Sequence, residues 1–306
     1  MTTARPPVTA VVVAYNSATV LPRCLAALTQ DNVPTIVVDN NSSDGSAEIA
    51  RAQGARVIRG RHNEGYGRGN NLGVHAAGTE LCLIVNPDVV VARGTVTLLA
   101  EAAHACPWAA VFGPRLVEPD GRIFFRHGSV LEPAEDGRDP PQQDCDVAVL
   151  SGAALLVRRS VFTRLGGFDP SIFLFYEDDD LCFRMRAAGH ALRYVHAAEA
   201  MHLRGKSSVG SAENIRRMRF HQAWSRVYVC RKHGRSSGVK NILPVQSLKY
   251  MAALLRGDPL RRARYAGSVH GAWSALTGGT AIAHEGLLGE DRVADAIFLA
   301  SPPIQT

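Results

Sequence analysis

The stretch TIVVDNNSSDGS at residues 35–46 joins a short apolar run to a dense cluster of polar side chains. Residues 35–40 read as a buried β-strand, because a short continuous run of apolar, β-branched residues is typical of a strand covered on both faces. Asn, Ser, Asp and Gly favour turns, and Ser or Asp caps a following helix. Taken alone, the polar part is explained by a turn before a helix, so its role depends on the segments around it.

The neighbouring segments repeat this pattern of strand and helix. Further apolar strands are predicted at 8–14, 55–60 and 81–86, with helices around 18–28, near 46–53 and, after a Gly/Asn-rich loop at 60–70, through about 77. Alternating strands and helices form βαβ units, and continuous apolar strands belong to a parallel sheet covered by helices. We therefore expect an α/β fold with a Rossmann-like, mostly parallel sheet and a ligand site at the carboxyl ends of its strands.

Polar clusters follow three of the predicted strands, namely AYN at 14–16, DNNSSDGS at 39–46 and NPD at 86–88. The second and third are common turn sequences by themselves, but at one edge of one sheet the three would converge on a single crevice. The absence of GxGxxG after the first strand and of GxxxxGK[ST] disfavours dinucleotide oxidoreductases and P-loop phosphotransferases. A nucleotide can instead be held through Asp39, while Asp88 binds a metal that neutralises its diphosphate, since Mg²⁺ needs few protein carboxylates when phosphates complete its shell.

Four consecutive acids follow an apolar aromatic run in FLFYEDDDLCFR, residues 173–184. In a helix that starts near residue 178, the spacing puts Asp178 on the same face as Leu181 and Met185, which points it inward. An inward carboxylate facing a reacting centre can act as a general base. The alternative is that Asp178 only caps the helix, since acids in a first turn interact favourably with the helix dipole.

The other three acids have simpler explanations. Asp180 is expected to pair with Arg184 four residues on, and Asp179 to lie beside Arg186, both on a solvated helix surface. Glu177, at the helix entry, is expected to orient an acceptor or a backbone amide.

The composition is that of an ordinary globular protein: 306 residues, 46% hydrophobic and 20% charged. Its six cysteines form no CxxC pair, which argues against a zinc cluster and a disulfide framework and favours a reducing, cytoplasmic setting. Neither a signal peptide nor a membrane-spanning stretch is predicted.

The positive charge is concentrated near the C-terminus. Residues 204–264 hold fifteen Lys or Arg against two acids. Such a block suits nucleic acid, anionic lipid or a phosphate-bearing acceptor. The sequence contains no nucleic-acid-binding motif, so we expect no nucleic-acid partner. Helices are predicted at 211–232, 244–256 and 258–275, the first docked on the preceding domain; for residues 240–264, docking and contact with an anionic membrane surface both stay open.

Six stretches and one histidine carry a family resemblance. They are VVVAYNS, IVVDNNSSDGS, NEGYGRGNNLG, LIVNPDVVV, SGAALLVRRSVF and GGFDPSIFLFYEDDDLCFRMRAAGH, followed by His202. Their order and spacing over residues 8–233 resemble the family 2 inverting glycosyltransferases of GT-A fold, in particular a subgroup similar to bacterial rhamnosyltransferases. The resemblance implies transfer of a sugar from a nucleotide diphosphate sugar to an acceptor hydroxyl, with inversion at the anomeric carbon.

The same resemblance implies roles for individual residues. Asp178 would be the catalytic base, and Asp88 and His202 would bind a divalent cation, Mg²⁺ or Mn²⁺, with His196 as the competing histidine. Asn86 stands where a strict DxD motif has its first Asp, which leaves the metal one fewer charged ligand. The nucleotide pocket would be lined by Tyr15, Asn16, Asp39 and Asn40, and the donor loop would hold Asn63 and Asn71.

Together these observations predict a GT-A catalytic domain over 1–205 and a basic helical extension over 206–306 that contacts a membrane or the acceptor. The resemblance implies a donor linked to dTDP or UDP and a glycan or lipid-linked acceptor. We expect the protein in the cytoplasm or peripherally at the inner face of the cytoplasmic membrane. The alternative is a catalytically inactive GT-A scaffold that acts through its basic helices.

Overall fold

The computed structural model describes residues 7–134, 139–203, 211–235, 239 and 241–285. Its strands are β1 (Val8–Ala14), β2 (Thr35–Asp39), β3 (Arg56–Arg59), β4 (Leu81–Val85), β5 (Val89–Val91), β6 (Ala109–Val117), β7 (Ile123–Phe124), β8 (Cys145–Asp146), β9 (Ala154–Arg158) and β10 (Ala191–His202). Its helices are α1 (Leu21–Gln30), α2 (Ser46–Ala52), α3 (Tyr66–Ala76), α4 (Thr95–Ala105), α5 (Arg159–Arg164), α6 (Glu177–Ala187), α7 (Ala212–Lys232), α8 (Ile242–Leu255), α9 (Pro259–Thr277) and α10 (Ala281–His284).

All of these strands belong to one open sheet, in the order β3-β2-β1-β4-β9-β6-β10-β5, with β7 added to β6 and β8 to β10. Strands β3, β2, β1, β4, β6 and β10 run in one direction, while β9 is antiparallel to both of its neighbours and β5 is antiparallel to β10. The predicted α/β class with a mostly parallel sheet flanked by helices is therefore confirmed.

The core lies on both faces of the central strand β1. Val12 packs in one apolar layer with residues of α1 and α4, whereas Val11 and Val13 pack in the other with residues of α3, α5 and α6. Successive side chains of a strand point to opposite faces, so a continuous apolar strand fills both layers at once. Because Ala14 lies beside Asp39, the ends of β1 and β2 are level at one edge of the sheet.

The Gly/Asn-rich segment differs from its prediction. A loop was expected over 60–70, but α3 already begins at Tyr66. Its glycines serve close packing: a Cβ at Gly69 would lie 2.9 Å from the methyl groups of Val13, and one at Gly73 would overlap Val11. The helix therefore rests directly on β1, and glycine is required there by space rather than by chain flexibility.

The predicted C-terminal helices are present. Helix α7 packs on the preceding domain, as predicted, through Trp224 against Phe173 and Val229 against Ile172. Ala223 and Val227 of the predicted apolar row pack instead against Ala272 of α9, and the apolar row on α8 is exposed at Leu248 and Leu255. In the part of the chain that the structure describes, no helix combines the length and apolarity needed to cross a membrane. The basic run at 204–208, which can be read as a diphosphate clamp or as a solvated loop, lies outside the described residues, and the division at 205 stays a prediction.

The packing of α3 can be tested with Gly73→Ala. The added methyl group would overlap Val11, and overpacking of a close contact costs about 1–3 kcal/mol, so we expect the free energy of unfolding to fall by that amount. Urea denaturation measures it. Gly78→Ala is the matched control, because a Cβ there meets open space. Equal stability of the two variants would contradict this account of the α3–β1 contact.

Candidate active site

A cavity of about 480 Å³ opens at the carboxyl ends of β1, β2 and β4. We call it the strand-end cavity. From the sheet side its polar lining comprises Tyr15, Asn16, Ser17, Asn40, Asn63, Asn86 and Asp88; from α7 it comprises Asn214, Arg217 and His221. Three polar clusters that are far apart in sequence thus meet at one edge of the sheet, as the chain direction of parallel strands requires.

Four of the predicted nucleotide and donor-loop residues lie together in this cavity: Tyr15, Asn16, Asn40 and Asn63. The Asn40 side-chain amide donates to the Gly65 carbonyl at 2.9 Å and to Asn63 Oδ1 at 3.3 Å, which ties the end of β2 to the loop before α3. Asn16 Oδ1 accepts from the Ser43 backbone N–H at 2.9 Å. These contacts hold the cavity wall in place through side-chain amides rather than charges.

Two of the six predicted nucleotide and donor-loop residues do not line the cavity, and neither do Asp178 and His202. Asp39 is fully buried, accepts from the Ser42 backbone N–H at 3.2 Å and lies 3.4 Å from Arg59 Nε. Asn71 lies within α3 rather than in a loop, and its side chain exchanges two 2.8 Å hydrogen bonds with the backbone of Phe168. The nitrogen and the oxygen of the Asn71 side-chain amide are therefore both used to anchor α3 to the segment before α6.

Asp88 and His202 lie side by side, although they are more than a hundred residues apart in sequence. His202 ends β10 opposite Val89, the residue after Asp88, and its Nε2 is 3.4 Å from Asp88 Oδ2. The Leu203 N–H donates to the Asp88 carbonyl at 2.9 Å and fixes this register. The competing His196 lies farther back on β10, with its Nδ1 3.1 Å from the Pro141 carbonyl.

The donor set around Asp88 fits a divalent cation. A carboxylate and an imidazole are common metal ligands, and two ligands at right angles about 2.1 Å from one ion are about 3 Å apart. His202 Nδ1 and Asn86 Oδ1 are buried and have no hydrogen-bond partner among the described residues. Asn86 and Asp88 both face the strand-end cavity, so a cation held here would sit at its wall.

The four acids of α6 are more deeply buried than predicted. The side chains of Asp179 and Asp180 are 1% and 0% exposed, Glu177 is also buried, and Asp178 alone retains 18% of its side-chain surface. The expectation that Asp179 and Asp180 lie on a solvated surface is wrong, because α7 and the segment around Arg126 cover that side of the helix.

Asp178 is held at two points. Its Oδ2 accepts from the Gly152 backbone N–H and from Arg126 Nη1, each at 2.9 Å. The second nitrogen of the same guanidinium binds Asp179, so the predicted neighbour of Asp179, Arg186, is not its partner. A strand was predicted over 147–157, but β9 starts only at Ala154, since Gly152 turns its N–H toward this carboxylate.

Burial shifts the pKa of two of these acids. It raises the pKa of Glu177 well above its ordinary value, with the Asp178 carboxylate adding to the shift. Burial and then Asp178 likewise raise the pKa of Asp179, while Arg126 opposes the shift. The buried Oε2 of Glu177 has no hydrogen-bond partner among the described residues. A charged carboxylate without partners is costly to bury, so this agrees with the raised pKa of Glu177.

Asp180 links α6 to α7. It pairs with Arg184 at 2.8 Å, as predicted, but it also contacts Lys232 at 2.7 Å and His233 at 2.8 Å. Lys232 in turn binds Asp169 at 2.6 Å. The end of α7 is therefore fixed to the acidic helix by a buried ionic network.

Helix α7 supplies cationic groups that the sequence analysis did not assign to the site. Arg217 and His221, four residues apart on one face, line the strand-end cavity. Both bind Glu285: Arg217 Nη2 is 2.5 Å from Oε2, and His221 Nε2 is 2.6 Å from Oε1. The spacing of four residues between Arg217 and His221 can be read from the sequence and places them on one helix face. No pattern in the sequence around Arg126 predicted its contact with α6.

The protein has an open, mostly parallel sheet with a polar cavity at its strand ends, and Asp88 of the cavity wall pairs with His202. This is the architecture of GT-A glycosyltransferases. A mannosyltransferase, PcManGT from Pyrobaculum calidifontis in complex with GDP-Man and Mn²⁺, superposes with a TM-score of 0.57 at 16% identity over 90% of this chain and 88% of that one. GalNAc-T7 with UDP, GalNAc and Mn²⁺ gives 0.57 at 13% identity over 89% and 56%.

The sequence comparisons identify the family. The profile of glycosyl transferase family 2 matches residues 9–166. An N-acetylglucosaminyl-diphospho-decaprenol L-rhamnosyltransferase of Mycobacterium tuberculosis is 31% identical over 236 residues, 65% of this chain and 76% of that protein. Rhamnosyltransferase WbbL of Escherichia coli is 28% identical over 162 residues, 45% and 60% of the two chains. The chain belongs to glycosyl transferase family 2 and is a glycosyltransferase, so the predicted resemblance is confirmed.

The contact of Glu285 with α7 predicts a pH-dependent stability. Burial raises the pKa of Glu285, but hydrogen bonds from His221 and Arg217 outweigh it and lower the pKa to about 2. A carboxyl group with a lowered pKa stabilises the fold above its unfolded-state pKa and loses that contribution as pH falls toward the folded value. Glu285→Gln should therefore be clearly less stable than wild type at about pH 6, with the difference shrinking toward about pH 3.5.

Urea denaturation at both pH values measures this difference. Glu48→Gln is the control, because the contacts of Glu48 with Arg51 and Arg59 are both exposed. A stability difference between wild type and Glu285→Gln that stays constant with pH would show that the Glu285 contact is not ionic.

Proposed function

We propose that this glycosyltransferase inverts the anomeric centre as it moves a sugar, rhamnose being our candidate, from a nucleotide diphosphate donor to a hydroxyl of a glycan or lipid-linked acceptor. The proposal is carried by the strand-end cavity, whose wall holds the amide-rich strand ends and Asp88, with His202 beside Asp88. Asp178 is linked to this wall through Gly152, which donates to Asp178 and accepts from Tyr66 of the cavity.

The strand-end cavity is the candidate site for the donor. Tyr15, Asn16, Asn40 and Asn63 offer an aromatic face and amide groups suited to a base and ribose. Asp39 would act from behind this wall by holding the turn at Ser42, rather than by direct contact. A dTDP- or UDP-linked donor is our candidate; the solved relatives with UDP or GDP-Man show that this architecture accommodates nucleotide sugars.

Asp88 and His202, with Asn86 beside them, would hold a divalent cation, Mg²⁺ or Mn²⁺. When bound, such an ion supplies positive charge that stabilises the leaving nucleotide diphosphate. Arg217 and His221 face the same cavity and add donors that orient the phosphates. The amide-rich wall of the cavity would thus bind the base and ribose of the donor, and the wall with Asp88, Arg217 and His221 would bind its diphosphate.

Asp178 is the candidate base because it is the accessible acid of α6. The side chains of Asp179 and Asp180 are enclosed in ion pairs, and burial raises the pKa of Glu177, which disfavours its charged form. Arg126 and the Gly152 N–H hold Oδ2 of Asp178 in one orientation. The carboxylate would take the proton of the acceptor hydroxyl as that oxygen bonds to the anomeric carbon and the bond to the nucleotide diphosphate breaks.

The sugar and acceptor are inferred from relatives. Two of them are named rhamnosyltransferases, and the mycobacterial protein is named for an acceptor with a diphospho-decaprenol group. The exposed apolar row on α8 supports an acceptor held at a lipid surface, with the protein bound peripherally at the cytoplasmic face of the membrane.

The base assignment is tested by Asp178→Asn, which keeps the size of the side chain but removes its proton-accepting charge. General bases contribute about 10²–10⁴-fold, so we expect the turnover number for transfer to fall by that factor while donor affinity changes little. Asp146→Asn is the control, because it removes a half-exposed carboxylate that also pairs with an arginine, Arg193. Wild-type turnover in Asp178→Asn would exclude this residue as the base.

The cation and nucleotide assignments are tested by thermal shift with UDP, dTDP, GDP and CMP, each with Mn²⁺ or with EDTA. We expect UDP or dTDP to raise the melting temperature more strongly with Mn²⁺, and Asp88→Asn to remove the extra shift, because the ion bridges protein and diphosphate. Glu80→Gln, an exposed acid at the opposite end of β4, should keep it. A shift with no dependence on metal would overturn the cation proposal.

A further inference from the structure

A second cavity, of about 330 Å³, lies between α7, α8 and α9. Four cationic side chains line it: Arg219 and Arg226 from α7, Lys249 from α8 and Arg264 from α9. We call it the basic pocket. Its remaining polar lining includes the tyrosines Tyr176 and Tyr265, which are neutral hydrogen-bond donors.

The charges of the basic pocket are uncompensated within the described ranges. No carboxylate lines the pocket, and none of its four cationic side chains makes an ion pair there. The Nε of Arg226 is buried and lacks a hydrogen-bond partner among the described residues. Burial, and next the nearby Arg264, lower the pKa of Arg219. Like charges brought together raise the free energy of the empty protein, and a bound anion would remove that cost.

The number and type of donors indicate a polyanion with tetrahedral oxygens. Guanidinium groups bind phosphate through parallel hydrogen bonds, and three arginines and a lysine around one cavity match the charge of a diphosphate better than that of a single carboxylate. Arg219 is already oriented, since its Nη1 donates to Gln222 Oε1 at 2.6 Å.

The basic pocket reaches the start of α6, the helix of the candidate base, and is distinct from the strand-end cavity. Tyr176, in its wall, is two residues before Asp178 and starts α6 with a left-handed backbone. Along α7, Arg217 and His221 face the strand-end cavity, whereas Arg219 and Arg226 face the basic pocket. One helix therefore separates the two cavities, and Tyr176 connects the basic pocket to the helix that carries Asp178.

An apolar surface accompanies the basic pocket. Leu248, Met251 and Leu255 form a row along α8 at spacings of three and four residues and are 70%, 61% and 91% exposed. Lys249 of the same helix faces the pocket. A hydrocarbon chain or a bilayer surface along this row would lie next to the pocket's charges, which is the arrangement that a lipid diphosphate requires.

We propose that the basic pocket binds the diphosphate that links the acceptor sugar to its lipid, with the apolar row of α8 turned toward that lipid. The inference rests on the proposed function, because it assigns the acceptor of the same reaction. The charges would hold the diphosphate while the sugar attached to it reaches Asp178.

The test is calorimetric titration of the full chain with farnesyl diphosphate and with inorganic pyrophosphate. EDTA in the buffer prevents metal-dependent binding of either compound at Asp88. We expect farnesyl diphosphate to bind wild type and to bind Arg226→Gln or Arg264→Gln at least about tenfold more weakly, since each lost guanidinium removes charge-assisted hydrogen bonds. Arg262→Gln, on the exposed side of α9, is the matched control and should bind as wild type.

Each result is decisive. Equal binding by wild type and the pocket variants, or no binding to wild type, would overturn the basic pocket as the site. Pyrophosphate that binds as tightly as farnesyl diphosphate would overturn the assignment to a lipid. Binding of UDP and dTDP is measured on the same variants in a separate titration with Mn²⁺ and without EDTA, and should be unchanged. If wild type binds farnesyl diphosphate but neither nucleotide, the donor proposal fails while the pocket stands.

Discussion

The placement of α6 depends on how the protein compensates the buried carboxylates of its first turn. Removing a charge from water costs several kcal/mol unless a partner charge and hydrogen bonds replace the solvent. Arg126 serves Asp178 and Asp179, while Arg184, Lys232 and His233 converge on Asp180. These contacts join the helix to the sheet domain on one side and to α7 on the other. The position of the single accessible acid, Asp178, follows from the ion pairs of its neighbours.

Strands β1, β2 and β4 of the sheet were predictable because each is marked by a short apolar run in the local sequence. Continuous apolar runs such as Val8–Ala14 have one stable environment, a strand covered on both faces, and parallel strand ends must lie at one edge. That argument alone brought Tyr15, Asn40 and Asp88 together. The glycines of α3 led to the wrong prediction of a loop over 60–70. A sequence does not distinguish a glycine needed for close packing from a glycine needed for the backbone conformation of a loop.

The environment of the acids was not predictable in the same way. A helical wheel gives the direction of each side chain around its own axis, but not what packs against it. Asp180 was correctly paired with Arg184 because that contact is local, whereas its contacts with Lys232 and His233 cross about fifty residues of sequence. For the same reason, the spacing of Arg217 and His221 marked one face of α7 without showing that this face closes the strand-end cavity.

The two cavities beside α7 differ in whether a carboxylate already neutralises their cationic side chains. This difference affects which anions each cavity could bind. In the strand-end cavity, Arg217 and His221 already share the carboxylate of Glu285. A diphosphate would therefore interact less strongly with them and would depend on a divalent cation held at Asp88. In the basic pocket, Arg226 and its neighbours have no carboxylate within the described chain, and an anion would interact with their full charge. A phosphate group bound with a metal suits the first arrangement, whereas a phosphate group bound by side chains alone suits the second. Helix α7 would thus form the common wall of the two proposed anion sites, and their different chemistry would distinguish a donor diphosphate from an acceptor diphosphate.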